Sequence, residues 1–243
     1  EFPGEGTPVG DHRVAVGDHS IEAGAVVLAT GLEPLIPPIE GLVESGYLDN
    51  ESVLDLKSLP TRLVVLGGGP IGLEFAQIFA RFGVQVTIVE SAARLAPPEE
   101  PESGDAIREA FEAEGIAVRL GSKVVEVSRS ATGRKLHFDN GASVEADEVL
   151  VAVGRHLDGR RVGLDAAGVK WSPKGVEVDR HLQTSSPWVY AAGDVVGGLL
   201  FTHTPSEKGA IAARHALARP GSREVNEQPI VPRVTFHEPE VQS

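Results

Sequence analysis

Residues 63–90 read Leu-Val-Val-Leu-Gly-Gly-Gly-Pro-Ile-Gly-Leu-Glu-Phe-Ala-Gln-Ile-Phe-Ala-Arg-Phe-Gly-Val-Gln-Val-Thr-Ile-Val-Glu, and this stretch decides the fold. Leu63 to Leu66 form an apolar run suited to a buried parallel strand. Gly67, Gly69 and Gly72 follow at once: the first for a tight turn, the second for backbone approach to a diphosphate, the third for close helix–strand packing. A helical run from Ile71 to Phe82 stops at Gly83, a residue type that ends helices readily. Pro70 and Ile71 stand at its start, where N–H groups without intrahelical partners and the positive end of the dipole attract an anion. Val86 to Val89 give a second strand, ending in Glu90, 23 residues after Gly67. An acid roughly 20 residues on suits a ribose 2′-hydroxyl. A lone glycine pattern is weak, but here strand, turn, helix, strand and acid agree. The stretch is the seat of a dinucleotide, and the fold class is α/β of the Rossmann kind.

Composition narrows the partners. The chain has 243 residues, 22 of them Lys or Arg and 35 Asp or Glu, for a formal charge of −13. With no basic cluster, that balance argues against nucleic acid and against anionic membrane surfaces as partners. No apolar run approaches the roughly 20 residues of a membrane span, and no signal-peptide pattern opens the chain. A cytoplasmic location is therefore expected. There is no Cys, so this chain holds no disulfide, no thiolate nucleophile and no Cys-based metal site, and no metal ligands are nominated. There is no Met either, and the loose opening Glu-Phe-Pro-Gly-Glu-Gly fits a piece of a longer protein.

Outward from the glycine stretch, short β-like runs occupy His12–Val16 and Ser20–Ala23. The apolar strand Ala25–Ala29 ends at Thr30-Gly31, and prolines at 34, 37 and 38 make a stiff connector. Val53–Leu59 suggests a short helix. After Glu90, a Pro- and Glu-rich loop over 94–102 leads to a helix over 103–114 and a strand over 116–120. Lys123–Val127, Lys135–Phe138 and Ser143–Ala146 read as three antiparallel strands, the last two joined through Asn140-Gly141, a strong hairpin signal. Glu148–Val153 returns as an apolar strand ending in Gly154-Arg155. Trp188–Ala192 is a strand terminating in Gly193-Asp194. Thr204, Pro205 and Glu207 match the N-cap, N1 and N3 residues of a capping box. Ile230–Phe236 alternates like an edge strand without a partner.

Three strand ends finish in small residues: Ala29-Thr30-Gly31, Ala152-Val153-Gly154-Arg155 and Ala192-Gly193-Asp194. Each alone is an ordinary strand-to-turn junction. With the glycine stretch they form an ordered set: VVLATG (26–31), PPIEGL (37–42), RLVVLGGGPIGLEFAQIFARFG (62–83), EVLVAVGR (148–155), VYAAGDV (189–195) and VPRVTFHEPEVQS (231–243). The set resembles the FAD-dependent pyridine nucleotide–disulfide oxidoreductases, most closely the dihydrolipoamide dehydrogenase and mercuric reductase-like branch. The resemblance implies a Rossmann-like NAD-binding domain over 61–154, inserted in an FAD-binding domain whose segments here are 1–60 and 155–223. Residues 224–243 would begin a dimerisation domain.

By the same resemblance, Thr30 and Gly31 would lie near FAD, Gly193 and Asp194 at its ribityl chain, and Thr202 and His203 beside the isoalloxazine. The helix from Thr204 would aim its positive end at the flavin N1 region. Glu74 would stand near the nicotinamide, and Val124, Gly154 and Arg155 complete the candidate cofactor contacts. Three of these keep a plainer alternative: His203 as a packing residue, Glu74 as a first-turn helix Glu, Arg155 as a salt-bridge partner. Glu90 favours NAD, because it would face a 2′-phosphate of like charge. Arg94 lies close enough in sequence to leave NADP open. The expected activity is hydride transfer from NAD(P)H to FAD and on to a disulfide or metal-ion acceptor, in an enzyme that is a homodimer when whole. The family's N-terminal FAD glycine motif and its redox CxxxxC pair are not in this sequence, so no catalytic residue is nominated. The alternatives are a flavin reductase without a redox disulfide, and a dinucleotide-binding module without turnover.

Overall fold

A computed structural model describes residues 3–198, 203–218 and 234–242. The chain divides into two compact units. The first comprises the residues up to Glu33 and those from Arg155 through the helix ending at Leu217; the second runs from Pro34 to Gly154 and includes the described tail. Residues 34–60, expected with the flavin-side segment, thus belong to the second unit. The isolated bridges Glu40–Glu126 and Leu48–Leu150 explain this, since they tie the connector to strands of that unit.

The second unit is built on a four-stranded parallel sheet in the order Glu148–Val151, Arg62–Leu66, Gln85–Val89, Ala117–Arg119. Leu63 through Leu66 are all at most 3% exposed, as an unbroken apolar run requires of a strand covered on both faces. Alternate residues serve opposite faces. Leu63 and Val65 pack with Leu73, Ala76 and Phe79 of the helix Pro70–Arg81 and with Ile107 and Phe111 of the helix Pro101–Ala113. Val64 and Leu66 pack with Val127, Leu136 and Phe138. Those residues come from an antiparallel sheet of Val124–Ser130, Gly133–Phe138 and Ser143–Ala146, so the unit has helices on one face and a β-meander on the other. The expected Asn140-Gly141 hairpin is in place: Ala142 N–H donates to the Asn140 side chain, and Gly141 has φ +83°.

The first unit contains the parallel pair Val26–Leu28 and Val189–Ala191. Val189 and Ala191 face a core with Leu28, Leu164, Val176 and Trp188, while Tyr190 and Ala192 face Ile211 and Ala212 of the helix His203–Leu217. A three-stranded meander, Gly6–Gly10, Arg13–Val16 and His19–Glu22, stands beside it in the chain. Its first strand escapes a sequence reading because it contains Pro8. At a sheet edge the missing N–H costs no ladder bond.

Four further elements differ from expectation. The helix expected over 53–59 is a single 3-10 turn, Ser52–Asp55, closed by Asp49, whose Oδ1 accepts from the N–H groups of Glu51 and Ser52. A one-turn helix, Leu42–Ser45, precedes it. The C-terminal helix begins at His203 rather than after Thr204. Pro205 then sits at its third position, still within the turn whose N–H groups have no intrahelical acceptor. The terminal strand has a partner after all, Val234–Thr235 pairing antiparallel with Val241–Gln242.

Candidate functional site

The glycine turn occupies the point where the parallel sheet reverses its order. From Arg62–Leu66 the chain steps outward through two strands, then returns to lay Glu148–Val151 on the opposite side of the first. In such sheets the crevice beyond the carboxyl ends at this switch receives ligands. Gly67 sits in it with φ +111°, and a Cβ there would lie 2.3 Å from the carbonyl oxygen of Ala152. No residue other than glycine fits. A Cβ on Gly72 would come within 2.2 Å of the Gly67 carbonyl oxygen, so the helix can close on the strand only at a glycine.

Gly69 differs from both. It is the helix N-cap, with Pro70 behind it at the first helical position, and a Cβ added there would meet nothing within 4 Å. The three glycines thus stand in three different surroundings: a turn with positive φ, an open N-cap and a close helix–strand contact. Beyond Gly69 lie the first-turn N–H groups, Ile71 and Gly72 among them, which a helix leaves without intrahelical acceptors and which suit a diphosphate. Gly154, after the returning strand, has φ +129° and open space around it. Val124 is different: its side chain is 6% exposed and packs into the core beneath the meander.

Glu90 does end the second strand, and its carboxylate is already engaged. Oε2 accepts from Gly68 N–H at 2.7 Å, and Oε1 accepts from Ala92 N–H at 2.7 Å. Arg94, the residue that kept NADP open, donates instead to the Pro97 carbonyl at 2.7 Å. Glu74 is half-buried on its helix and accepts from the Phe236 N–H at 2.9 Å. Three and seven residues on, Gln77 and Arg81 continue this stripe. Gln77 pairs with both the N–H and the carbonyl of Glu238, and Arg81 binds the carboxylates of Glu114 and Glu238. The tail thus lies along the helix, with His237 buried against Phe111. Sequence reasoning missed this contact, because nothing local links residue 74 to residue 236.

In the first unit, Thr30-Gly31 and Gly193-Asp194 leave the carboxyl ends of the two parallel strands. Thr30 and Gly31 line a cavity of about 260 Å³ together with Thr7, Glu33, Leu157 and Arg161. Asp194 and Arg155 meet in an ion pair of 2.6 Å. Arg155 Nε is buried without an acceptor among the described residues, a donor left for a ligand. Lys208, not singled out in the sequence, is half-buried near Asp194; burial pushes its ammonium pKa down, and the Asp194 carboxylate opposes that shift. Its sequence signal is slight, a lone cation in the second turn of a helix. Thr202, and the side chains of His203 and Thr204, lie outside the described residues.

The residues present fit two nucleotide cofactors: an open helix N-terminus beside a carboxylate in the second unit, and an unpaired guanidinium donor beside a strand-end carboxylate in the first. Among the described residues no helix is long and apolar enough to cross a membrane.

A family model described as pyridine nucleotide-disulphide oxidoreductase matches residues 2–216. Dihydrolipoyl dehydrogenase of Bacillus subtilis (strain 168) is 40% identical over 219 residues, covering 89% of this chain and 47% of that protein. Mercuric reductase of Staphylococcus aureus is 35% identical over 242 residues, covering 98% of this chain and 44% of that protein. Among solved structures, the Cu(II) complex of the HOCl-induced flavoprotein disulfide reductase RclA from Escherichia coli superposes with a TM-score of 0.90 at 31% identity, covering 98% of this chain and 55% of that one. The chain spans about half the length of the curated relatives it matches.

Proposed function

The chain belongs to the pyridine nucleotide-disulphide oxidoreductase family, and from that premise we propose that it carries the nicotinamide seat and part of the flavin seat of an NAD(P)H-dependent FAD oxidoreductase. The cofactors that go with the family are FAD and NAD(P). The second unit is the nicotinamide domain in this reading. Its support is the glycine turn at the switch point of the parallel sheet, where Gly67 and Gly72 are sterically obligatory and Gly69 is open. The first unit is the flavin side, with Thr30, Gly31, Arg155, Gly193 and Asp194 at its nucleotide-facing ends.

When bound together, the cofactors supply the redox chemistry, the nicotinamide as hydride donor and the flavin as acceptor. This chain's part is placement and charge. The first turn of the helix Pro70–Arg81 holds a diphosphate by its N–H groups and dipole. Glu90 accepts from the adenosine ribose hydroxyls, which favours NAD over NADP. Asp194 would accept from hydroxyls of the ribityl chain, while Arg155 orients that carboxylate through their ion pair. The electrons pass on to a disulfide or a metal ion, the substrate classes in the names of the relatives. With no Cys in the chain, neither the redox pair nor a thiolate metal site can be drawn from it. A homodimeric, cytoplasmic enzyme completes the reading.

The test is an NADH titration followed by intrinsic fluorescence, with ADP-ribose as competitor. Saturable NADH binding that ADP-ribose displaces is expected. A protein that binds neither compound would contradict the nicotinamide seat.

A further inference from the structure

Gly68 is the glycine the nucleotide-binding pattern does not require, yet it is the most tightly held residue of the turn. Its N–H donates to Glu90 Oε2 at 2.7 Å, and its carbonyl accepts from the Ala96 N–H at 2.8 Å. Both peptide groups are thus tied to the segment that follows the second strand. The same Glu90 carboxylate fixes that segment's start, Oε1 accepting from Ala92 N–H at 2.7 Å and from Ser91 Oγ at 3.2 Å. At its far end Ala96 is buried with φ +44°, a backbone region costly for a residue with a Cβ. Leu95, fully buried, closes the clasp from above: a Cβ at position 68 would fall 2.8 Å from its Cδ2 and 3.2 Å from Glu90 Oε2. A side chain at position 68 would displace the two side chains that form the clasp, Leu95 and Glu90.

We infer that Glu90 is a positioning residue as well as a ribose acceptor, its carboxylate coupling the adenosine end of a bound dinucleotide to the shape of the glycine turn. This rests on the reading of that turn as a nicotinamide dinucleotide seat. Each carboxylate oxygen can accept more than one hydrogen bond. A ribose hydroxyl can therefore join the carboxylate without releasing Gly68 or Ala92. Because Gly68 N–H is taken by Glu90, the turn is pre-formed by an internal anion rather than by the ligand's phosphates. Removing the carboxylate therefore does more than relieve repulsion of a 2′-phosphate. It loosens the turn that both NADH and NADPH need.

The experiment compares the full chain with E90A and E90Q, measuring amide exchange at Gly68 and Ala92 by NMR without nucleotide, then titrating NADH and NADPH. A charge-assisted hydrogen bond shifts an equilibrium by about tenfold or more. The clasp thus predicts that E90A loses at least about tenfold in protection at both amides, with NADH affinity falling by a similar factor. NADPH should bind E90A no more tightly than it binds the parent chain. E90Q keeps the side-chain volume and one carbonyl oxygen, so it keeps protection at one of the two amides, and it serves where E90A does not fold. A96G retains the N–H to Gly68 and removes the left-handed cost, so it should keep protection and affinity. Unchanged exchange at both Gly68 and Ala92 in E90A, or in E90Q where E90A does not fold, or an E90A chain that simply exchanges NADH preference for NADPH, would overturn the inference. Failure of the parent chain to bind NADH would instead overturn the nicotinamide reading, while exchange in the free protein still decides the clasp.

Discussion

Two sets of parallel strands end in candidate nucleotide loops, and they are built differently. In the second unit the strand Arg62–Leu66 runs through the glycine turn directly into a 12-residue helix. The helix N-terminus is therefore fixed at the sheet's switch point by close glycine packing and by the bond from Gly68 N–H to Glu90. In the first unit the strands end at Thr30-Gly31 and at Gly193-Asp194; the latter continues into a 3-10 turn, Gly193–Val196, before the long helix. Among the described residues it has no glycine turn that leads straight into a helix. What it offers instead is charge: Arg155, Asp194 and Lys208. The candidate site of the second unit thus rests on backbone geometry, and that of the first on charged side chains.

The largest effect should come from attacking that geometry. G67A places a Cβ 2.3 Å from a backbone carbonyl, and G72A places one 2.2 Å from another. Neither neighbour is a flexible side chain. Each substitution should destabilise the second unit by about 3 kcal/mol and abolish NADH binding, read by thermal denaturation and nucleotide titration. If either folds and binds as the parent does, the second unit is not rigid in the way described.

D194N is the matching blow to the first unit. It removes the charge that pairs with Arg155 at 2.6 Å; with side chains 26% and 20% exposed, the loss of stability should be about 1 kcal/mol after allowance for solvent screening. FAD affinity should fall while NADH affinity stays unchanged. Loss of both would show that the two seats do not act separately. G31A is milder still. Gly31 has φ +72° but open space, so the cost is the left-handed backbone alone, about 1 kcal/mol, with cavity and ion pair intact.

The smallest effect concerns the tail. Burial pushes the His237 imidazole below its usual value of 6.5, opposed by the Pro239 backbone and by Glu74 and Glu240. The unfolded segment then binds a proton more readily than the folded one, so stability rises with pH up to about 6.5 and falls on acidification below it. Exchange of the Phe236 and Glu238 amides, which donate to Glu74 and Gln77, should accelerate between pH 7 and pH 5 beyond the intrinsic rate. H237F should remove that extra acceleration.

The second unit was largely legible because its constraints are local. An apolar run, obligatory glycines and an acid at fixed spacing belong to one continuous stretch, and steric necessity wrote them there. Even the β-meander announced itself through Asn140-Gly141. Contacts between residues distant in sequence were not legible. Gly68 could be read as filler between two motif glycines until the Glu90 and Ala96 bonds were seen. Glu74 looked like a nicotinamide neighbour or a plain helix residue, and the Phe236 N–H that occupies it comes from 162 positions away. The first unit was legible only through its resemblance to a family, because Thr30-Gly31 and Gly193-Asp194 are, taken singly, ordinary strand ends. Their meaning lies in the parallel pairing that brings them to the same edge of the sheet.

The central proposal is that one unit of this chain carries a pre-formed nicotinamide seat and that the groups of the other hold FAD less tightly. Calorimetric titration of the same preparation with NADH and with FAD, after exhaustive dialysis, tests it most directly. NADH should bind at one site, at least about tenfold more tightly than FAD, and the dialysed protein should carry no flavin. Stoichiometric flavin retained through dialysis, or FAD binding tighter than NADH, would contradict it.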